Sequence, residues 1–422
     1  MTPQYGPDSR YAWLRLWVSL GLMTIGASGM YVVSVVLPAV QADFGVDRSA
    51  ASMPYTMTMI GFGIGGLMMG RLADRFGIML PSAIGAFGLG IGFMAAGSAP
   101  GLLLFGLAQG ILIGALGTAT TFSPLIADTS LWFDRRRGIA VAICASGNYL
   151  GGALWPPITQ HFVETVGWRT TYLGIGLFCV VTMLPLALML RRRPPALPSA
   201  AAASASNRPT AARGVDFARP LDMSPRTLQW LLNTAGVACC VAMAMPQVHI
   251  VAYCTDLGFG AARGAEMLSL MLGSGIVSRL VSGAISDRIG GLRTLLLGSV
   301  LQGVALLMFL PFDGMVSLYL ISAMFGLFQG GIVPSYALIV REHFPPAEAG
   351  NRVSQVITAT LVGMALGGWM SGAIFDATGS YHAAFINGIA WNLLNVAIAV
   401  MLLRRAGPLR PRSSATAGTA PA

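Results

Sequence analysis

Apolar residues run through this chain in stretches of about 20, separated by short polar breaks. The stretches fall near residues 14–40, 52–70, 78–98, 101–126, 138–162 and 170–190, then near 227–252, 264–284, 292–312, 315–340, 351–375 and 382–403. A hydrocarbon layer of about 30 Å takes about 20 helical residues to cross, and a helix satisfies its own backbone polar groups on the way. The pattern therefore predicts an all-α membrane protein with twelve spans. The first run follows Arg10 and Arg15 and extends from Leu16 to about Val40. It is too long for a signal-peptide core and reads as an uncleaved first span.

Composition agrees. Charged residues are 10% of the 422, hydrophobic residues 55%, and the mean hydropathy is +0.69. Soluble domains carry about 25% charge, so a soluble enzyme, a disordered protein and a secreted disulfide scaffold are excluded. The net charge of +10 comes from 26 basic residues, all arginine. They punctuate apolar runs instead of forming a basic face interleaved with aromatics, which argues against nucleic acid as a partner. The five cysteines show no metal spacing and read as small buried thiols. No cofactor or metal is expected, and the expected unit is a monomer in a bilayer.

Arginine placement sets the expected topology, because basic residues accumulate in cytoplasmic loops. With the N-terminus inside, that side collects Arg71, Arg75, Arg135–Arg137, Arg191–Arg193, Arg288, Arg293, Arg341, Arg352 and the C-terminal arginines from Arg404 onward. The other side holds Arg48, Arg169 and Arg263. Both termini are thus expected in the cytoplasm of a cell whose inner (plasma) membrane the chain crosses many times. Residues 191–226, rich in Pro, Ala, Ser and Arg, read as a linker with nothing to build a core. The expected units are a six-span bundle over 1–190, that linker, a second bundle over 227–403 and a disordered tail over 404–422.

The halves echo each other. Gly70-Arg-Leu-Ala-Asp74-Arg75-Phe-Gly77 lies between spans 2 and 3, and Gly283-Ala-Ile-Ser-Asp287-Arg288-Ile-Gly290 recurs between spans 8 and 9, 213 residues later. Gly138 with Gly350, and Gly167 with Gly379, repeat at 212. Displacements of 212–213 at three anchors imply a duplicated six-span unit. In each loop the glycines would let helix ends approach, and the aspartate could cap a helix or hold an arginine across the mouth. Asp74, Arg75, Asp287 and Arg288 are therefore candidate gates; a tight turn with topogenic charge is the plainer reading.

Twelve spans, a 6+6 duplication, a long central loop and this paired motif resemble the major facilitator superfamily over nearly the whole chain. The resemblance implies two six-helix bundles around a central cavity that rocks between inward- and outward-open states. Three further features look like its monocarboxylate-transporter branch, which includes oxalate/formate-type antiporters: Trp132-Phe-Asp-Arg-Arg-Arg-Gly138-Ile-Ala140 entering span 5, Val248-His249-Ile-Val-Ala-Tyr253-Cys-Thr-Asp256-Leu-Gly258 closing span 7, and Arg279 in span 8.

Arg279 lies eight residues before Asp287, about 12 Å along the helix from the loop. A guanidinium at that depth costs about 2.5–3.5 kcal/mol or more unless it meets water or a partner. No acidic residue in spans 7–12 is well placed to neutralise it, and a planar fork suits a carboxylate. The resemblance likewise gives this position the carboxylate-binding arginine. The plainer readings are snorkelling to the cytoplasm or pairing with Asp128. Where dicarboxylate exchangers carry a second cation, this chain has Thr360, so one cation points to a monocarboxylate. Animal monocarboxylate carriers place an acid one turn before the arginine and a lysine in span 1; here the first is Gly275 and lysine is absent. Asp128 and His249 are the candidates for proton coupling, each with a structural alternative. Further mid-span candidates for substrate contact are Tyr31, Ser34, Tyr55, Phe122, Asn148, Tyr149, Asn233, Gln247, Gln329 and Tyr336, for any of which helix packing is the competing role. The span-5 glycines Gly138, Gly147 and Gly151 also begin a drug-exporter motif, so the alternative readings are proton-coupled drug or metabolite export and oxalate/formate-type anion exchange. Histidines on separate elements and the lack of paired carboxylates argue against an enzyme.

Overall fold

The computed structural model describes residues 6–193 and 220–406. Most of the linker expected over 191–226 and of the tail over 404–422 lies outside the described residues. The described chain forms twelve membrane-length helical spans. In the first half, α1 runs Arg10–Phe44 with a break at Ala27, followed by α2 Arg48–Phe76, α3 Met79–Gly97, α4 Leu102–Leu131, α5 Arg137–Val166 and α6 Trp168–Met189. The second half comprises α7 Pro225–Asp256, α8 Ala261–Ile289, α9 Gly291–Met308, α10 Met315–His343, α11 Pro346–Thr378 and α12 Tyr381–Ala406. Several helices outrun their apolar stretches by a turn at each end, because a helix goes on beyond hydrocarbon wherever caps and polar faces satisfy it. Eleven of the twelve are long and apolar enough to cross a membrane. The other, α2, is diluted by Pro54, Tyr55, four serine or threonine positions and several glycines, of which Ser52, Pro54, Tyr55, Thr58, Gly61 and Gly65 are buried against protein.

Duplication is visible in the packing. Within the first bundle α1 packs on α5, α2 on α4 and α3 on α6; within the second α7 packs on α11, α8 on α10 and α9 on α12. Between bundles, α2 meets α11, α5 meets α8 and α1 meets α7. Adding six to each number of one contact returns its counterpart, as a pseudo-twofold axis requires. Large apolar side chains such as Leu103, Leu177, Val181 and Leu320 remain exposed on the outer flanks, where lipid replaces water as the solvent.

Two matched joints interrupt this regularity. α4 passes through a wide π-helical stretch, Ala108–Gly117, and a 3-10 turn, Thr118–Thr121, with Gly117 at φ −85 and ψ −85. α10 stops at Gln329 and restarts at Ile332 across Gly330-Gly331. At the second joint α8 comes so close that a Cβ on Gly330 would stand 2.6 Å from the Gly275 carbonyl oxygen.

The repeated loops place their last glycines, Gly77 and Gly290, at φ +85 and +82, closing α2 and α8 in a conformation that only glycine adopts freely. The first glycines of the motif, Gly70 and Gly283, have open space around them. The expected close approach is therefore not made there in this conformation; what these loops require of glycine is backbone angle.

Candidate functional site

Arg279 sits where three helices meet. Gly275, one turn earlier on α8, leaves the space that the Tyr149 ring of α5 fills; a Cβ there would stand 2.5 Å from the ring. The guanidinium then stacks over that ring at 4.5 Å and its Nη1 donates to the Ala145 carbonyl at 3.2 Å. Both contacts cross from the second bundle to the first. Among the described residues no carboxylate pairs with Arg279, and its Nε is buried with no partner. The pairing with Asp128 considered from sequence does not occur.

Around this cation the structure gathers Tyr31, Asn148 and Tyr149, with Tyr55 next to Tyr31. Tyr31 donates to Asn148 Oδ1 at 2.8 Å, its ring lies against Gly152, and it is within electrostatic reach of Arg279. Tyr55 neighbours Tyr31 and packs on Gly368 of α11. A guanidinium from α8 thus lies among aromatic rings of α1 and α5, a setting that suits a small anion with an apolar tail. On the second bundle Gln247 donates to Gln329 Oε1 at 3.0 Å, and the Gln329 amide nitrogen is buried without a partner. Phe122, at the α4 joint, packs edge-on to Phe62.

Other candidates fall elsewhere. Tyr336 donates to Asn395 at 2.9 Å, and Asn395 to Ser299 at 2.8 Å, so Tyr336 belongs to the interior of the second bundle between α9, α10 and α12. Thr360 turns its hydroxyl back to the Ile357 carbonyl and packs against Gly236. The glycines of α5 have a packing role as well: Gly151 and Gly152 admit the Thr24 carbonyl and the Tyr31 ring of α1. Asp74, Arg75, Asp287 and Arg288 are exposed and form no ion pair, and among the described residues no hydrogen bond joins the bundles at that end.

The end remote from those loops is held shut, by residues the sequence reading had left as loop charge. α2 begins at Arg48 after Asp47, whose side chain caps nothing. The missing cap comes from the other bundle: Asp376 of α11 accepts from Arg48 N at 2.9 Å and Ser49 N at 2.7 Å. The Arg48 side chain reaches Asp256 at 3.1 Å and the Tyr381 hydroxyl at 3.0 Å, over the Phe375 ring. His249 completes this group. Its Nε2 faces the Gly368 carbonyl at 2.7 Å and so carries the proton, which leaves Nδ1 to accept from Tyr381 at 3.1 Å. His249 is therefore part of the closed end, not of the Arg279 cluster.

Asp128 is held too. Arg15 of α1 donates to it at 2.7 Å, both side chains being buried, and also binds the Leu190 and Arg192 carbonyls while lying over the Trp132 ring. From sequence Arg15 looks like a topogenic flank; its signal was a lone acid in span 4 that needed a partner. Removing one member of such a pair strands a buried charge, at a cost of about 3–5 kcal/mol. Asp128→Ala is expected to lower the thermal unfolding midpoint sharply, and Arg15→Met with Asp128→Leu to recover most of the loss. A double variant as unstable as the single one would show that the pair is not what matters.

Known proteins resemble the chain throughout. The Major Facilitator Superfamily profile matches residues 18–351 and 255–421. "Monocarboxylate transporter 13" of Rattus norvegicus is 26% identical over 359 residues, 83% of this chain and 78% of that protein. "MFS-type transporter pynF" of Aspergillus niger is 25% identical over 343 residues, 81% and 76% of the two chains. The "Uncharacterized MFS-type transporter YcxA" of Bacillus subtilis is 26% identical over 359 residues, 82% and 83%. Among solved structures, a bacterial homolog to the human lysosomal transporter Spinster, in inward-facing and occupied conformation, superposes with TM-score 0.71 at 14% identity, covering 94% of this chain and 97% of that one. Profile and fold agree across both halves, and the chain belongs to the Major Facilitator Superfamily.

Proposed function

We propose that this transporter is a secondary carrier of small monocarboxylates, and that Arg279 binds the carboxylate. The observation that carries the reading is a guanidinium at the contact between bundles, stacked on Tyr149, with no carboxylate among the described residues neutralising it. Arg279 is half-buried; a cation at membrane depth without a counter-ion is expensive, and an anionic substrate would supply one. Relatives that include a monocarboxylate transporter support the same class. Thr360, turned back to its own helix, offers no second cation, which favours one carboxylate over two.

In this conformation polar contacts join the bundles at the Arg48–Asp376 end, and among the described residues none joins the Asp74/Arg75 and Asp287/Arg288 loops. Arginine placement favours a cytoplasmic loop end with both termini inside, which supports reading this state as inward-facing in the plasma membrane. Substrate bound at Arg279 touches α8 and, through Tyr149, α5; rocking about that contact would separate the Arg48 group and bring the loop charges together as the opposite clasp. Asp128 and His249 have partners of their own, so neither is assigned a proton.

The test is uptake of labelled lactate, pyruvate and a branched hydroxy acid into vesicles, with oxalate as competitor, with and without a proton gradient. Saturable uptake of one monocarboxylate, blocked better by monocarboxylates than by oxalate, is expected. Stronger competition by oxalate would overturn the single-cation argument, and efflux of lipophilic cations without carboxylate transport would favour drug export.

A further inference from the structure

Charge is divided unequally across the Arg48 latch. The first bundle brings donors: the Arg48 guanidinium and the backbone N–H groups of Arg48 and Ser49 at the start of α2. The second bundle brings acceptors: the Asp256 and Asp376 carboxylates and the Tyr381 hydroxyl oxygen. Each hydrogen bond and ring contact of the Arg48 side chain is made to the second bundle. Asp376 is gripped at both carboxylate oxygens, Oδ1 by Arg48 N at 2.9 Å and Oδ2 by Ser49 N at 2.7 Å. A carboxylate from the chain itself thus shows how the start of α2 takes a carboxylate, where free N–H groups and the helix dipole both favour an anion. The first bundle does not satisfy these donors. The first turn of α2 carries no acid, and Asp47 caps nothing. Asp43, four residues before Asp47, is held by Arg169 at 2.9 Å. Arg48 is 7% exposed, and its Nε has no partner even with both aspartates in place.

We propose that Arg48 and the start of α2 form a second carboxylate site, at the mouth remote from the loops. Asp256 and Asp376 plug it while that mouth is shut, and a carboxylate from solution takes their place when the bundles part. This rests on the rocking proposed for transport and adds a site distinct from Arg279. Parting withdraws both aspartates together, because both belong to the second bundle. It leaves a guanidinium and two helix-end N–H groups with no carboxylate of their own bundle upon them, and an entering anion restores what has been withdrawn. Latch and ligand therefore compete for one set of donors. Since the ligand binds only the open mouth, its presence shifts the population toward that state.

The experiment measures the distance between spin labels at Arg71 and Ala284 in the full-length protein, titrated with sodium acetate against sodium chloride at equal ionic strength. Parting of the Arg48 end brings those labels together. Acetate is expected to raise the open-to-closed ratio by about tenfold once it exceeds its dissociation constant tenfold, and chloride is not. Asp256→Asn and Arg48→Gln break one ion pair from opposite ends, so both loosen the latch, but only Arg48→Gln removes the site. The acetate response should survive in Asp256→Asn and vanish in Arg48→Gln. It should also survive in Arg279→Gln, which separates this site from the central one. An equal response to chloride would mean screening of the latch and would overturn the proposal. So would no response in wild type, a response kept in Arg48→Gln, or one lost in Asp256→Asn or Arg279→Gln. Acetate need not be carried for the labels to respond, so a protein that transports no monocarboxylate would lose the carrier reading while this titration still decides the site.

Discussion

Uptake of the proposed monocarboxylate is expected to fall by about two to three orders of magnitude in Arg279→Gln, with the protein still folded and inserted. The size follows from what is removed. A carboxylate on a guanidinium makes charge-assisted hydrogen bonds worth about 1.5–3 kcal/mol each, and loss of about 3–4 kcal/mol of binding is a factor of several hundred. Glutamine keeps a donor for the Ala145 carbonyl, so the contact between α8 and α5 survives. Arg279→Lys should retain more than Arg279→Gln but lose selectivity, because a point charge lacks the planar fork and stacks less well on Tyr149. Tyr149→Phe keeps the stacked face and should cost far less than either. Normal transport by Arg279→Gln would remove the carboxylate clamp from the mechanism.

The second large effect concerns which conformation is populated. Arg48 is buried, holds Asp256 and Tyr381 from the opposite bundle and lies on Phe375. Arg48→Gln gives up an ion pair that is partly screened, since Asp256 is about one-third exposed, together with the ring contact. About 2 kcal/mol is a reasonable loss, and it would shift the balance between closed and open ends by about thirtyfold. Asp376→Asn should act in the same direction but more weakly, about 0.5–1 kcal/mol, because its carboxylate is exposed and the amide oxygen still accepts one backbone N–H. Spin labels at Arg71 and Ala284, exposed on the two facing loops, read the outcome: the distance between them should shorten in Arg48→Gln. All five native cysteines are buried, which keeps the labelling specific. An unchanged distance distribution would mean that the α1–α7 and α5–α8 contacts alone hold this end shut.

These two sites were not equally legible in the sequence. The spans were, because bilayer thickness imposes a length that apolar runs reveal directly. Arg279 was also visible, as a charge where hydrocarbon should be. The Arg48 group was not: its partners stand 208, 328 and 333 residues away, and no local pattern couples an arginine opening one helix to a tyrosine opening another. Arg15 was hidden for a different reason. It lies so near the start of its helix that a topogenic charge and a buried ion pair read alike. Tyr336 and Tyr149 are both mid-span tyrosines, and only the rotation of their helices distinguishes a hydroxyl bonded to Asn395 in a bundle interior from a ring beneath a cation. Gly275 was noticed for the acid it lacks; the structure explains it by the ring that takes the place of its side chain.

The joints in α4 and α10 bear on how old the machinery is. Gly117 and Gly330 are 213 residues apart, the spacing that also separates Asp74 from Asp287. A Cβ on Gly85 of α3 would strike Thr120 just past the first joint, and one on Gly298 of α9, at the same spacing, would strike Ile332 just past the second. Two helices that bend at the same height against the same neighbour did not acquire their pivots separately. The bend belonged to a six-span ancestor, which could flex before it had a twin to rock against, whereas Arg279 has no such ancestry: 213 residues earlier stands Gly66. The pivots are common to both halves, whereas the charge proposed to hold the cargo stands in one of them.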